Sequence, residues 1–198
     1  TVALMADGEA EILKTKSNTA EPYTPPEAYT FPYGSMNMSQ RPVVVGAGPA
    51  GLFAALCLAE AGLRPVLLER GKPVEARKTD VERFWKTGKL DEDSNVQFGE
   101  GGAGTFSDGK LTTGIHDPRI LFVLRRLVEF GAPEDILYLA KPHIGTDRLR
   151  AVVVAMRREL QRLGCDVRFG HRLEGLHFEN SRLKSADVAA DEGAYSIQ

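Results

Sequence analysis

Cysteine is scarce in this chain. Cys57 and Cys165 are its two, they lie far apart, and neither belongs to a CxxC pair. That spacing argues against a disulfide framework, a zinc site and a dithiol of the flavin-disulfide reductase kind. Two isolated cysteines read as small buried hydrophobes in a reducing cytosol. Long apolar runs are missing as well. Nothing approaches the ~18 apolar residues of a membrane span, and no basic start with an apolar middle marks a secretory signal. No membrane partner is expected, and the cytoplasm is the default location. Charge of neither sign dominates: 25 basic against 27 acidic residues leave a net charge of −2. Nothing global therefore points to nucleic acid.

Metal-ligand spacing and a catalytic acid–base constellation are also absent. His171 and His177, six apart on expected strands, should share one face but lack a third ligand, so no metal is expected. His143 in "KPHIGTD" is the best polar candidate near a site, with Lys141 and Asp147 close in sequence, and a histidine there is able to donate to a ligand carbonyl. The competing reading is structural: His143 at a strand end, with Thr146 or Asp147 capping the next helix. His116, beside Asp117 and Pro118, reads the same way. Arg125–Arg126 and Arg157–Arg158 read as solvated helix faces. The catalytic residues stay unassigned.

Glycine is what the chain does have, 20 residues of it, and it clusters. The first cluster lies in "RPVVVGAGPAGLFAALCLAEAGLRPVLLER", residues 41–70. "PVVV" is a short β-branched run suited to a parallel strand buried on both faces. "PAGLFAALCLAEA" reads as a helix, with Pro49 in its first turn and Gly62 at its stop. "RPVLLE" is a second strand, completing a βαβ unit. Gly46, Gly48 and Gly51 form G-x-G-x-x-G between the first strand and the helix. Gly46 permits the tight turn, Gly48 lets backbone approach a pyrophosphate, and Gly51 lets helix pack on strand. The helix N-terminus offers N–H groups and a positive dipole end to phosphates.

Glu69 ends the second strand 21 residues after Gly48. That matches the ~20-residue offset of the carboxylate that accepts ribose hydroxyls and repels a 2′-phosphate. The ligand class is therefore FAD or NAD. Arg70, a conceivable NADP clamp, is expected to face solvent because Glu69 holds the decisive position. The second cluster, "GEGGAGTFSDGK" from Gly99 to Lys110, makes close backbone approach to a bulky or phosphorylated ligand possible. This long excursion favours FAD; a flexible surface loop is the alternative.

Further along, residues 74–85 have helix-compatible patches. "HDPRILFVLRRLVEFGAP" reads as a helix with Asp117 as N-cap, Pro118 in the first turn and Gly131 as the stop. In "GTDRLRAVVVAMRRELQRLGC", Leu149, Val152, Val153, Met156, Leu160 and Leu163 make an apolar stripe at helical spacing. After Gly164, "CDVRFG", "LEGLHFE", "LKSADVAA" and "AYSIQ" read as short strands, with "NSR" and "DEG" as turns between the last three. The chain starts at Thr1 rather than methionine, with preceding residues removed or left out, and stops at Gln198 in what reads as mid-strand.

The runs "RPVVVGAGPAGLFAALCLAEAGLRPVLLERG", "FWKTGKLDEDSNVQFGEGGAGTFSDGKLTTG" and "KPHIGTDRLRAVV" resemble the uncharacterised FAD-dependent dehydrogenases, flavoproteins of the glutathione reductase-like FAD/NAD(P)-binding superfamily. The resemblance covers about Arg41 to the C-terminus. It implies a fold class of α/β: a Rossmann-like FAD-binding βαβ unit with an antiparallel crossover β-meander, incomplete at the C-terminus. Residues 1–41 would be a Pro-rich leader, linker or tail of a preceding domain, its aromatic residues lying against something apolar. Residues 42–198 would be a partial FAD-binding domain, with the meander at about 165–198.

The resemblance implies FAD held by Gly46, Gly48, Pro49, Ala50, Gly51, Glu69 and Arg70, with Gly101, Gly102, Ala103, Gly104 and Thr105 beside the cofactor. The implied function is the FAD-binding part of a flavin-dependent oxidoreductase acting on an unknown small molecule, with NAD(P)H as a conceivable electron donor. A NAD-dependent dehydrogenase, and a truncated non-catalytic nucleotide-binding remnant, are the alternatives. Family members run on for a few hundred residues, so a truncated member is expected.

Overall fold

The β-branched run that starts at Pro42 becomes the first of three parallel strands, and the core is built on both sides of them. The computed structural model describes residues 7–15, 21–22, 29–31, 34, 38–107, 109–111, 113–139 and 141–198. Their elements, in chain order, are α1 (Glu9–Lys14), β1 (Val43–Val45), α2 (Pro49–Glu60), β2 (Val66–Glu69), α3 (Val74–Thr87), α4 (Arg119–Glu129), α5 (Thr146–Arg162), β3 (Asp166–Phe169), β4 (His171–Glu179), β5 (Arg182–Ala190) and β6 (Tyr195–Ile197). Short 3₁₀ turns cover Ala103–Phe106 and Glu134–Leu137.

The parallel sheet has the order β1-β2-β3, with Val44 opposite Leu67 and Leu67 opposite Val167. Because strand residues alternate faces, Leu67 points one way and Val66 and Leu68 the other. Leu67 joins Leu52, Leu56, Val152, Met156 and Leu160 in the main core, which α2 and α5 cover. Val66 and Leu68 join Val188, flanked by Val43, Tyr195 and Ile197, in a second core. The layers are thus helices, parallel sheet and antiparallel meander, an α/β arrangement. Among the described residues, no helix is long and apolar enough to cross a membrane.

The βαβ connectivity, the helix at 74–87 and the α5 stripe match the sequence reading, with Val152, Val153, Met156 and Leu160 all buried. However, β1 is not buried on both faces: it is the edge strand of the sheet, Val43 and Val44 are half-buried and Val45 is exposed. The meander differs in one respect. Asp166–Phe169, read with the later strands, pairs in parallel with β2, and the antiparallel sheet β4-β5-β6 begins only at His171. A helix connects back to the parallel sheet through α5, so β3 is the natural return strand of a crossover. The turns lie where the sequence places them, with Asn180 and Ser181 at φ of 49° and 61° between β4 and β5.

His171 and His177 do not share a face. A register shift between Leu173 and Gly175 inverts the alternation, as a bulge does. His171 meets the Tyr195 ring and His177 pairs with Asp187, and Tyr195 and Asp187 lie on opposite faces by register.

Within residues 1–41, a short helix forms at Glu9–Lys14 where no period was evident. Tyr29 and Phe31 pack edge-on and tilted against Phe122 of α4. Most of the Pro-rich "EPYTPPEAYTFPYG" lies outside the described residues. The α4 cap also shifts: Pro118 occupies the N-cap position, and Asp117 accepts the Arg119 N–H at 2.9 Å.

Candidate functional site

The first glycine turn joins β1 to α2. Gly46, at φ 92°, donates to Leu68 O at 2.7 Å and so pins the turn to β2. A Cβ on Gly51 would stand 1.8 Å from Gly46 O, so the helix lies against the turn as only glycine allows. Gly48 is the N-cap of α2 in extended backbone, with no side-chain cap, and Pro49 follows at N1. A Cβ on Gly48 would meet nothing within 4 Å. The N–H groups of the first turn are therefore left for a ligand.

Glu69 sits at the C-terminal end of β2, 5% exposed. Its carboxylate accepts Ala47 N–H at 2.7 Å and Gly71 N–H at 2.8 Å, one per oxygen. Two of about four lone-pair positions are thus used, and two remain for ribose hydroxyls. Arg70, the next residue, donates to Asp93 at 2.9 Å and lies 4.3 Å over the Phe98 ring. Its charge is thereby engaged with the following loop rather than free in solvent. A polar cleft of about 410 Å³ opens beside this loop, bordered by Arg70, Gly71, Asp93, Ser94, Gly170 and Arg172.

The second glycine cluster folds onto the first. Gly101 N–H donates to Ala47 O at 2.8 Å. A Cβ on Gly102 would come 3.2 Å from Pro49 Cδ and 3.4 Å from Gly48 Cα. The structure thus brings Gly46, Gly48, Pro49, Gly51, Glu69, Gly101 and Gly102 together at one end of the parallel sheet. Pro49, Ala50 and Ala103 are exposed there, and Gly104 is half-buried. Thr105 is different: fully buried, its Oγ1 has no hydrogen-bond partner and lies under Gly101, where an added Cβ would meet it at 2.1 Å.

The other candidates lie elsewhere. His143 is exposed and pairs through its backbone with Lys110. Gly145, not Thr146 or Asp147, is the N-cap of α5; Thr146 donates to Ser107 O, and Asp147 pairs with Arg150. His116 is exposed.

Two arginines read as solvated helix faces are instead held in ion pairs, and a third, Arg77, is not singled out in the sequence at all. Arg157 is only 12% exposed and bonds both Glu75 and Glu100. Arg126 bridges Glu60 and Glu129. Arg77 is 0% exposed, on the inner face of α3 with Val74 and Val81. It occupies an i, i+3, i+7 apolar position, a signal the charge-rich string "EARKTD" concealed. Glu100, 1% exposed, accepts Val74 N–H at 2.8 Å and Arg157 at 3.0 Å. Burial outweighs these bonds and pushes its carboxyl up to about 7. Neither thiol is activated: burial pushes Cys165 up to about 11 and raises Cys57 as well.

Residues 41–80 match the family described as FAD binding domain. A Clostridium beijerinckii protein, described as uncharacterized, is 53% identical over 155 residues, which are 78% of this chain and 29% of that protein. The chain therefore spans under a third of that relative's length. Among solved structures, the 3-ketosteroid-Δ4-(5α)-dehydrogenase of Rhodococcus jostii RHA1, in complex with 4-androstene-3,17-dione, superposes with a TM-score of 0.53 at 14% identity. The alignment covers 80% of this chain and 44% of that one, a likeness of fold. Thermovibrio ammonificans THI4 aligns with a TM-score of 0.49 at 16% identity, over 80% of this chain and 53% of that one. The nucleotide-binding unit of this chain is an FAD-binding unit, and the uncapped α2 N-terminus, the open face of Gly48 and the half-used Glu69 carboxylate fit that ligand.

Proposed function

We propose that this FAD-binding chain is the cofactor-holding part of a flavin-dependent oxidoreductase that acts on a small molecule. The observation that carries the reading is the convergence of two glycine-rich turns on one helix N-terminus beside a buried carboxylate. A plain NAD unit needs only the first turn. Here the second turn bonds the first through Gly101 and Ala47 and widens the backbone surface offered to a ligand.

In this reading Glu69 accepts the ribose hydroxyls, and the first turn of α2, from Gly48 to Gly51, faces the pyrophosphate. Gly101 to Gly104 extend that surface, and Thr105 supports it from beneath. Arg70 is a wall of the site held by Asp93 and Phe98. Bound flavin supplies the electron-transfer chemistry, and the protein supplies binding, orientation and electrostatics. The chain's thiols take no part, since burial keeps both protonated. In this reading residues 42–198 act as a partial FAD-binding unit, with residues 1–41 as a leader, a linker or the tail of a preceding domain. The substrate, and NAD(P)H as electron donor, belong to the whole protein.

The test is anaerobic mixing of the full-length, flavin-loaded protein with NADH, NADPH and a panel of small-molecule reductants. Bleaching of the visible flavin band by a donor, and its return with an acceptor, is the expected result. Flavin that no reductant bleaches would overturn the oxidoreductase reading.

A further inference from the structure

Arg77 stands out as a fully buried cation with no carboxylate within salt-bridge distance among the described residues. It spends its donors on backbone. Nε donates to Asn95 O at 2.8 Å and Nη2 to Val96 O at 2.9 Å. Nη1 faces three carbonyls, Glu100 at 2.7 Å, Gly102 at 2.8 Å and Gly99 at 3.3 Å. The Phe106 ring closes over the guanidinium with its centroid 4.6 Å from Cζ. One side chain thus collects five carbonyls from the loop that ends in the second glycine cluster. The fit is tight: a Cβ on Gly99 would stand 2.5 Å from Arg77 Cδ.

The direction of those carbonyls has a consequence. The described chain has no cis peptide bond, and in a trans peptide the N–H points opposite to the C=O. With Gly102 O turned inward onto Arg77, the Ala103 N–H turns outward. Gly102 is itself packed on Gly48 and Pro49, so that N–H emerges next to the first turn of α2. Of the other peptides held this way, the Gln97 N–H goes to Asn95 Oδ1, the Glu100 N–H to Lys72 O and the Gly101 N–H to Ala47 O, so the Ala103 N–H is the donor that this clamp turns toward the first turn.

We infer that Arg77 is the positioning residue of the second glycine loop, turning the Gly102–Ala103 peptide so that the Ala103 N–H faces the dinucleotide beyond its adenosine half. The inference rests on the FAD reading above and adds a division of labour: Glu69 and the first turn hold adenosine monophosphate, and the Arg77-ordered loop addresses the remainder. Lysine keeps the charge but cannot span five carbonyls, and methionine keeps only the bulk.

The experiment compares the full chain with Arg77→Lys and Arg77→Met. Three readouts are taken: the far-ultraviolet circular dichroism of each protein, its affinities for FAD and for AMP, and amide hydrogen exchange without nucleotide. The expected result is folded variants with AMP affinity within about twofold of the parent and FAD affinity reduced about tenfold or more, the scale of a lost charge-assisted bond. Exchange should quicken at residues 95–103 while β1 and α2 stay protected.

Equal loss of FAD and AMP affinity, or FAD affinity unchanged in a folded variant, would overturn the assignment. So would variants that do not fold at all, which would make Arg77 a residue of folding. A parent chain that binds AMP but not FAD would overturn the FAD reading instead, and the exchange pattern alone would then judge Arg77.

Discussion

The amide nitrogen of Gly101 lies 2.8 Å from the carbonyl oxygen of Ala47, 54 residues earlier, and through that bond two glycine-rich turns become one surface. Ala47 is held from its other side, its own N–H donating to Glu69. A single residue in the phosphate-binding turn therefore reports on both the ribose carboxylate and the second loop.

Two alanine substitutions in that turn should behave oppositely. Gly51→Ala drives a Cβ into Gly46 O, a backbone atom that cannot step aside, and should cost about 2 kcal/mol or more of stability. Gly48→Ala meets open space at φ −72°. It should leave the melting temperature nearly unchanged and weaken FAD binding. Differential scanning fluorimetry with an FAD titration checks both.

Glu69→Gln should lose stability and FAD affinity together. The carboxylate accepts two backbone N–H groups, and the carboxamide must turn its own NH₂ toward one of them. A buried donor without an acceptor costs about 1–3 kcal/mol. Urea unfolding of the nucleotide-free protein isolates that part from the ligand's.

Stability should fall as pH rises from ~5 to ~8, because of Glu100. Burial lifts its carboxyl from 4.5 to about 7 in the folded chain, so the folded state binds that proton more tightly than the unfolded state does. The contribution is complete below the unfolded value and lost as pH passes through the folded one. Arg157 and the Val74 N–H oppose the shift, while Glu75 and Glu69 reinforce it. Glu100→Gln should flatten the profile of urea midpoint against pH.

Thiol reagents should label neither cysteine quickly in the folded protein. Cys165 is 6% exposed with its thiol pushed up to about 11, and Cys57 is raised in the same direction. A thiolate is the reactive form. Labelling followed with and without denaturant should show both sites becoming fast only on unfolding.

The βαβ unit was legible because its signals are local. Glycine spacing, β-branched strands and an acid at the strand end all fall within thirty residues. The α5 helix was legible because six apolar residues at helical spacing outweigh the local "VVV". What stayed hidden depends on partners distant in sequence. Arg77 takes its meaning from carbonyls 18 to 25 residues on, and Arg157 from Glu75, 82 positions earlier. Membership of β3 in the parallel sheet depends on its pairing with β2, which no pattern within "CDVRFG" encodes. The bulge that separates His171 from His177 arises between strands, so counting residues along one strand missed it.

The most direct test of the account is a titration of the purified, nucleotide-free chain with FAD, followed by flavin fluorescence and repeated with NAD as competitor. The account predicts saturable binding of FAD that NAD displaces poorly and that Gly48→Ala weakens. Tight binding of NAD with no response to FAD would contradict it.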